Sequence, residues 1–365
     1  MKCNIICKFA SEKDSLMAVI TEEKIRRFDR MVEKADKIVI SAHVHADGDA
    51  VGSTSALFHY LTEIRGKSTS VVLADRDAGG SSFLIPEEDK PFFTFYWNNP
   101  GEAARVIAEA SLIILLDCNS FTRTEDLGDF FKESYAPKVL IDHHLDPQEE
   151  EFDLIFSETE TSSASELLFH ILMALPDIAG DATRLPMQSG IALMTGMTTD
   201  TNNFSNSVYP STLEMASILL AAGVDRDAIL SDIYQNYREN RLRAMGFLLS
   251  KMTITPEGAA YMILTRKNMM TFDIAEGETE GFVNLPLAVR NVRMSVFMRQ
   301  DNGFFRVSVR SKKGTSAQRF AATYFNGGGH EYAAGGRLYF SEDISSVKDV
   351  VSYLENSLNE FLHEA

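Results

Sequence analysis

The chain is poor in cysteine and in positive charge, and it lacks any long apolar run. Its three cysteines, Cys3, Cys7 and Cys118, are too few for a disulfide framework. Cys3 and Cys7 have no partners nearby to complete a zinc site. An odd, sparse count fits a reducing cytoplasm, the expected location. No apolar stretch reaches the about 18–20 residues that span a bilayer, and the run at 191–197 falls far short. The opening residues carry too small an apolar region for a signal peptide. No membrane partner is therefore expected. Lys and Arg number 35 against 52 Asp and Glu, a net charge of −17. That balance excludes broad, sequence-blind coating of long nucleic acid.

At 365 residues the chain is long for one domain, and two are expected; 45% hydrophobic residues can supply sizeable cores. Charge is uneven. Residues 290–319 hold Arg290, Arg293, Arg299, Arg306, Arg310, Lys312, Lys313 and Arg319 against one acid, Asp301. A cationic wall in an acidic protein points to a small anionic ligand, although a solvated strand face has the same composition.

Thr21 is placed to cap a helix to about Lys34, with Ile25, Phe28, Met31 and Val32 on one face. Residues 37–41, 69–73, 112–116 and 138–141 read as strands, and 52–64, 163–175 and 186–197 as helices. Such alternation implies an α/β fold with a mostly parallel sheet covered on both faces. Residues 211–222 and 225–250 read as helices, the second rich in charge and able to bridge domains. The pattern then turns strand-rich, at 260–265, 293–299, 304–310 and 336–340, with helices over 317–324 and 347–361. The expected division is a disordered lead-in at 1–19, a first domain at 20–224, a helical linker at 225–255 and a smaller α/β domain at 256–365.

Five short segments carry the chemistry: His43 to Asp49 with His43, Asp47 and Asp49; Asp117; Asp142-His143-His144; Asp200; and Gly327-Gly328-Gly329-His330. His43, Asp117 and Asp142 each follow a strand-like run, at the carboxyl ends where open α/β sheets bind ligands. Carboxylates mixed with imidazoles suit manganese or a similar divalent ion. Two such ions held close suit attack of water on phosphorus. Asp47 and Asp49 can serve one ion or two, and Asp117 has oxygens enough to bridge. Without cations, so many carboxylates would oppose one another's ionisation. Within 142–144 one imidazole can bind metal while Asp142 joins it or orients a ring. The other histidine can face substrate as donor or proton carrier. The glycines let backbone N–H groups approach an anion, with His330 beside them. Arg310-Ser311-Lys312 ends a strand with an arginine suited to bidentate phosphate contact.

Each segment alone has a plain reading as a turn, a cap or a glycine loop; the ordered set points to one site. His59 and His170 read as packing or surface groups, Cys118 as a small buried residue, and His45 as no ligand. Ser163 and Ser165 read as helix caps, with a substrate role as the alternative. Phe304 and Phe305 could stack a base, with strand core the favoured alternative.

These segments resemble the motifs of the DHH phosphoesterase superfamily, in the branch with a C-terminal DHHA1 domain. The resemblance spans about residues 20–362 and is greatest to the bacterial nano-RNase and pAp-phosphatase group. Also similar is the stretch Glu280-Gly281-Phe282-Val283-Asn284-Leu285-Pro286. Ala46 stands where the family often has Pro, and Asn202 where it often has Gly; neither removes a ligand. The resemblance implies a helical linker and an active site in the cleft between two domains. It places one ion on His43, Asp47 and Asp117 and the other on Asp49, Asp117, His143 and Asp200. A bridging water or hydroxide is the implied nucleophile, with Asp117, Asp142 and His144 catalytic. Manganese is the implied metal, magnesium or cobalt the alternatives. Arg310, Ser311, Lys312 and residues 327–330 are implied to hold the substrate's terminal phosphate and adjacent nucleotide.

The implied activity is hydrolysis of short single-stranded RNA or DNA to mononucleotides and of pAp to AMP. Cyclic dinucleotides such as c-di-AMP, or their linear products, are the alternative substrates. Inorganic pyrophosphate, polyphosphate and long DNA fit the second domain, the length and the charge less well. A non-catalytic nucleotide-binding protein would be expected to have lost a ligand, and none is missing. A homodimer is left open.

Overall fold

The computed structural model describes residues 19–275 and 277–364. The expected disordered lead-in, with Cys3 and Cys7, lies outside the described residues except for Val19. The chain forms two compact units that divide between Asn236 and Tyr237.

The first unit is built on strands β1 (Lys37–Ser41), β2 (Ser68–Leu73), β3 (Phe93–Phe95), β4 (Leu112–Leu116), β5 (Lys138–Asp142) and β6 (Leu154–Ser157). They lie in the order β3-β2-β1-β4-β5-β6, and every neighbouring pair is parallel. Winding reverses between β1 and β4, the kind of switch point at which α/β sheets bind ligands. Successive side chains on a strand alternate faces, so the apolar runs feed two cores. Ile38, Ile40, Leu112, Ile114, Leu116, Val139 and Ile141 join one core with residues of helices Gly48–His59, Ala164–Ala174 and Met187–Asp200. Val39, Ile113, Leu115 and Leu140 join the other with Ile107, Leu127 and Phe131 from helices Pro100–Ala108 and Leu127–Glu133. Thr21 caps helix Glu22–Lys34, its side chain accepting from the Lys24 N–H.

The helix expected over 52–64 begins earlier, because Asp47 caps it at Gly48. It ends in a π-helical turn, Tyr60–Ile64, in which the Arg65 N–H reaches the Tyr60 carbonyl. Helices Gly48–His59 and Met187–Asp200 touch along a glycine seam. A Cβ at Gly48 would fall 2.3 Å from Thr199 Oγ1, and one at Gly52 2.7 Å from the Ala192 carbonyl oxygen. Only residues without a side chain allow that approach.

The second unit contains β7 (Thr253–Ile254), β8 (Ala259–Leu264), β9 (Met294–Gln300), β10 (Phe304–Ser311), β11 (Gly328–His330) and β12 (Ala333–Tyr339). The order is β11-β12-β10-β9-β8-β7, antiparallel except for β8 with β9. Phe305, Val307 and Val309 point into a core with Phe320, Leu354 and Phe361. Phe305 is thus core, whereas Phe304 lies on the other face with Arg310 and packs on Tyr339 at 5.9 Å. The helix expected over 225–250 is two, Arg226–Tyr234 and Glu239–Ser250, with the unit boundary in the break. Residues 328–330, read from sequence as part of a glycine turn, form strand β11 instead. Among the described residues no helix is long and apolar enough to cross a membrane.

Candidate metal centre

The loop after β1 delivers three of the expected residues. His43 is buried, and its Nδ1–H donates to the Val44 carbonyl at 2.8 Å. That bond directs Nε2 toward Asp117 Oδ2, at 3.3 Å, and Asp47 Oδ1, at 3.9 Å. Asp47 is exposed and caps helix Gly48–His59, Oδ1 accepting from the Asp49 and Ala50 N–H groups. Asp49 is buried beneath it. Its oxygens accept from the N–H groups of Ala164, at 2.7 Å, and Ser165, at 3.0 Å, at the start of helix Ala164–Ala174. A helix N-terminus suits a carboxylate through its unpaired N–H groups and its dipole.

Asp117 follows β4 in a left-handed backbone conformation, φ 53°. Such strain in a non-glycine residue persists only where the surroundings enforce it. The carboxylate is buried between two imidazoles, with His143 Nε2 3.4 Å from Oδ1. His143 Nε2 also lies 3.6 Å from Asp200 Oδ2. Asp200 closes helix Met187–Asp200, which the glycine seam holds against Gly48. A Cβ on Gly196 would sit 2.7 Å from Asp49 Oδ1, so that glycine makes room for the carboxylate.

Three groups of side chains lie close enough to hold an ion: His43 with Asp47 and Asp117, Asp49 with His143 and Asp200, and Asp117 with His143 and His144. The third is the poorest fit. His144 Nδ1–H donates to Asp142 Oδ1 at 2.7 Å, and its backbone N–H to Asp142 Oδ2 at 3.1 Å. The fully buried Asp142 therefore orients a ring.

The electrostatics fit a cation site. Burial alone would lower the His43 pKa, but hydrogen bonding and charge from Asp117 raise it to about 9. Burial opposes charge on His143 too, and Asp117, Asp200 and Asp49 lift it to about 10. Burial pushes Asp200 up to about 7, with Asp117 and Asp47 adding repulsion against the pull of His143. Burial and the charges of Asp117 and Asp200 raise Asp49 well above the usual carboxylate range. Burial would raise Asp117 as well, but His143 and His43 hold it far below that range. Asp117 Oδ1 is buried without a hydrogen-bond donor. Carboxylates that repel, imidazoles that must carry protons to balance them and an unsatisfied buried oxygen form a donor set suited to divalent cations.

Sequence reasoning missed the groups that hold this loop. Asp75, just past β2, accepts from the N–H groups of His45, at 2.9 Å, and Ala46, at 3.1 Å. An Asp following a strand at the same rim was the available signal. Buried Glu166 accepts from the Ser162 N–H at 3.0 Å and the Thr212 hydroxyl at 2.7 Å, bracing the turn beneath Asp49. Ser163 caps that helix, accepting from the Glu166 N–H at 3.0 Å, whereas the Ser165 backbone N–H serves Asp49.

In the second unit, the cations of 290–319 do not form one wall. Arg293 donates to the carbonyls of Glu257 and Leu362, Arg299 and Arg306 meet Asp301, and Arg319 covers the Phe361 ring. Lys312 donates to the Val289 carbonyl, and the Ser311 hydroxyl to that of Thr315. Arg310 is half-buried, which lowers its pKa, and its guanidinium donates to the Val309 carbonyl. Among the described residues no carboxylate pairs with it. A Cβ on Gly327 would fall 2.0 Å from the Gly335 carbonyl oxygen and one on Gly329 2.7 Å from that of Ala333, so the hairpin itself requires both. Gly328 has open space where a side chain would be. In the stretch 280–286, Gly281 adopts φ 78° and Arg241 stacks on Phe282 at 4.7 Å.

The model of the DHH family, N-terminal domain, matches residues 37–197, and that of the DHHA1 domain matches 259–357. A probable bifunctional oligoribonuclease and PAP phosphatase from Streptococcus mutans is 25% identical over 336 residues, 90% of this chain and 96% of its own. A cyclic-di-AMP phosphodiesterase from Geobacillus thermodenitrificans is 27% identical over 200 residues, 53% of this chain but 29% of its own. The crystal structure of an exopolyphosphatase-related protein from Bacteroides fragilis aligns with a TM-score of 0.85 at 33% identity, over 94% of this chain and 97% of that one. Both domains match in order and a 33%-identical relative aligns along nearly its whole length, so the chain belongs to the DHH family, with a DHH domain followed by a DHHA1 domain.

Proposed function

We propose that the protein is a phosphoric ester hydrolase that releases mononucleotides from short oligonucleotides and removes the 3′-phosphate of pAp. The observation that carries the reading is the pair of ligand groups that meet at Asp117, in a chain similar along its length to a probable oligoribonuclease and PAP phosphatase. His43, Asp47 and Asp117 form one ion site, and Asp49, His143 and Asp200, again with Asp117, the other. Two divalent ions, manganese in this reading, supply Lewis acidity to the phosphoryl group and lower the pKa of water. His144, whose Nδ1–H donates to Asp142, meets the substrate or leaving group through Nε2, which accepts a proton and donates a hydrogen bond only while it carries that proton. Arg310, with no carboxylate partner among the described residues, binds the terminal phosphate. Ser311 and Lys312 hold the strand end that presents it, and residues 327–330 carry backbone N–H groups suited to an anion.

The shared half-chain with a cyclic-di-AMP phosphodiesterase favours one second reading, the same chemistry on a cyclic dinucleotide. Product analysis with excess manganese separates the two. The substrates are an RNA ladder of about two to five nucleotides, pAp, c-di-AMP, pyrophosphate and polyphosphate. Mononucleotides from the ladder with AMP from pAp support the first reading. Turnover of c-di-AMP alone moves the assignment to the second, and turnover of polyphosphate alone overturns both.

A further inference from the structure

Trp97 is the only tryptophan in the chain, and it is 62% exposed. It stands just past β3, on the carboxyl-end rim of the parallel sheet. The Arg76 guanidinium lies over its ring, 4.4 Å from the centroid. Asp75 and Asp77 flank Arg76 in sequence, yet among the described residues no carboxylate pairs with it. The two loops are tied together. The Tyr96 N–H donates to the Leu73 carbonyl at 2.8 Å, and Asn98 Nδ2 to the Arg76 carbonyl at 2.6 Å. Arg76 directly follows Asp75, whose carboxylate holds the N–H groups of His45 and Ala46 inside the metal loop. A chain of hydrogen bonds therefore leads from the loop of the ligand cluster to an exposed indole with a cation on it. An indole left in water is costly, and a strongly acidic protein has little reason to hold an unpaired guanidinium there. Aromatic rings joined to arginine are what single-stranded nucleic acid uses as stacking platforms, because every base has a flat face and every linkage a charge.

We propose that Trp97 and Arg76 form a nucleobase subsite. The base of a nucleotide beyond the one at the metal cluster stacks on the indole, and the guanidinium meets the adjoining phosphate. The proposal rests on the nucleotide reading above and adds length preference to it: a second nucleotide reaches the subsite and pAp does not.

The sole tryptophan reports directly. With manganese present, a phosphorothioate-linked RNA trinucleotide is expected to quench its emission saturably, and pAp to quench it far less. Trp97→Ala is expected to lower the ratio of kcat/KM for the trinucleotide to kcat/KM for pAp about tenfold. Trp97→Phe, which keeps a stacking face, should retain most of that ratio, and Arg76→Ala should lower it. The ratio is insensitive to the fraction of protein folded. Trinucleotide turnover with unchanged emission at saturation, or an unchanged ratio in Trp97→Ala, overturns the subsite alone. A wild-type protein that hydrolyses no nucleotide overturns the subsite and the reading it rests on.

Discussion

Asp117 concentrates the demands on this site, since it is buried, left-handed in backbone and approached by His43 and His143 together. Asp117→Asn preserves shape and removes charge. Turnover should fall about 10²–10³-fold, the loss typical of removing one preorganised electrostatic contact, and metal retained after dialysis should fall with it. A near-normal rate under saturating manganese would sink the shared-ligand assignment. Asp142→Asn spares every ligand but loosens His144, so activity should drop about 10–100-fold with metal content unchanged. Protonation gives a further test. In the metal-free protein His43 and His143, at about 9 and about 10, lie above the unfolded value of 6.5. Their contribution to stability is complete below that value and is lost as pH rises through the folded values. Asp200, raised from 3.8 to about 7, acts in the same sense over that lower interval. Bound cations replace these protons. The rise in Tm on adding manganese should thus be larger at about pH 8.5 than at about pH 6, and calorimetry in buffers of different ionisation enthalpy should detect protons released. An equal rise at both pH values would contradict the proton account. Asp117, held low, contributes in the opposite sense and loses its share only in strong acid. His43, Asp47, Asp49, Asp117 and His143 were legible because each is an acid or imidazole after a strand or in a tight acidic loop, and Asp200 because it ends an apolar helical run. The N–H groups of Ala164 and Ser165 that seat Asp49 were not, since a backbone donor has no residue type.

At the scale of elements, the site depends on two helices whose close approach requires glycine at 48, 52 and 196. Gly196→Ala should cost about 1–3 kcal/mol through overpacking and also displace Asp49, lowering metal occupancy. Gly246, in helix Glu239–Ser250, meets nothing where its Cβ would be. Gly246→Ala should be neutral or stabilise by up to about 1 kcal/mol. Denaturant midpoints compare the two, and equal midpoints would remove the packing argument. Central strands β1, β4 and β5 were legible as continuous apolar runs flanked by turns. The short outer strands β3 and β6 had too few residues to show a period, as did helix Leu127–Glu133. The break after Tyr234 has no Pro or Gly to announce it. Arg238 binds Glu278 at 2.6 Å and Asp273 at 3.1 Å, and Arg241 reaches the Glu280 carbonyl at 2.7 Å. Contacts from about 35–40 residues downstream in sequence capture the start of the second helix, and a local reading has no access to them.

For the whole molecule, charge separates binding from retention. The net charge of −17 repels polyanions, and most cations of 290–319 already serve the second unit's own carbonyls, rings and acids. Arg310→Ala should therefore raise KM chiefly for substrates with a terminal phosphate, by about tenfold or more. An equal effect on substrates lacking that phosphate would remove its assigned role. The composition announced the cationic segment but not where each cation is spent. Among the described residues, every clustered candidate ligand comes from residues 43–200, all before the boundary at Asn236. The candidate ligands and the phosphate contact proposed for Arg310 thus lie in separate units. Changes confined to the second unit leave every side chain of the three ligand groups in place.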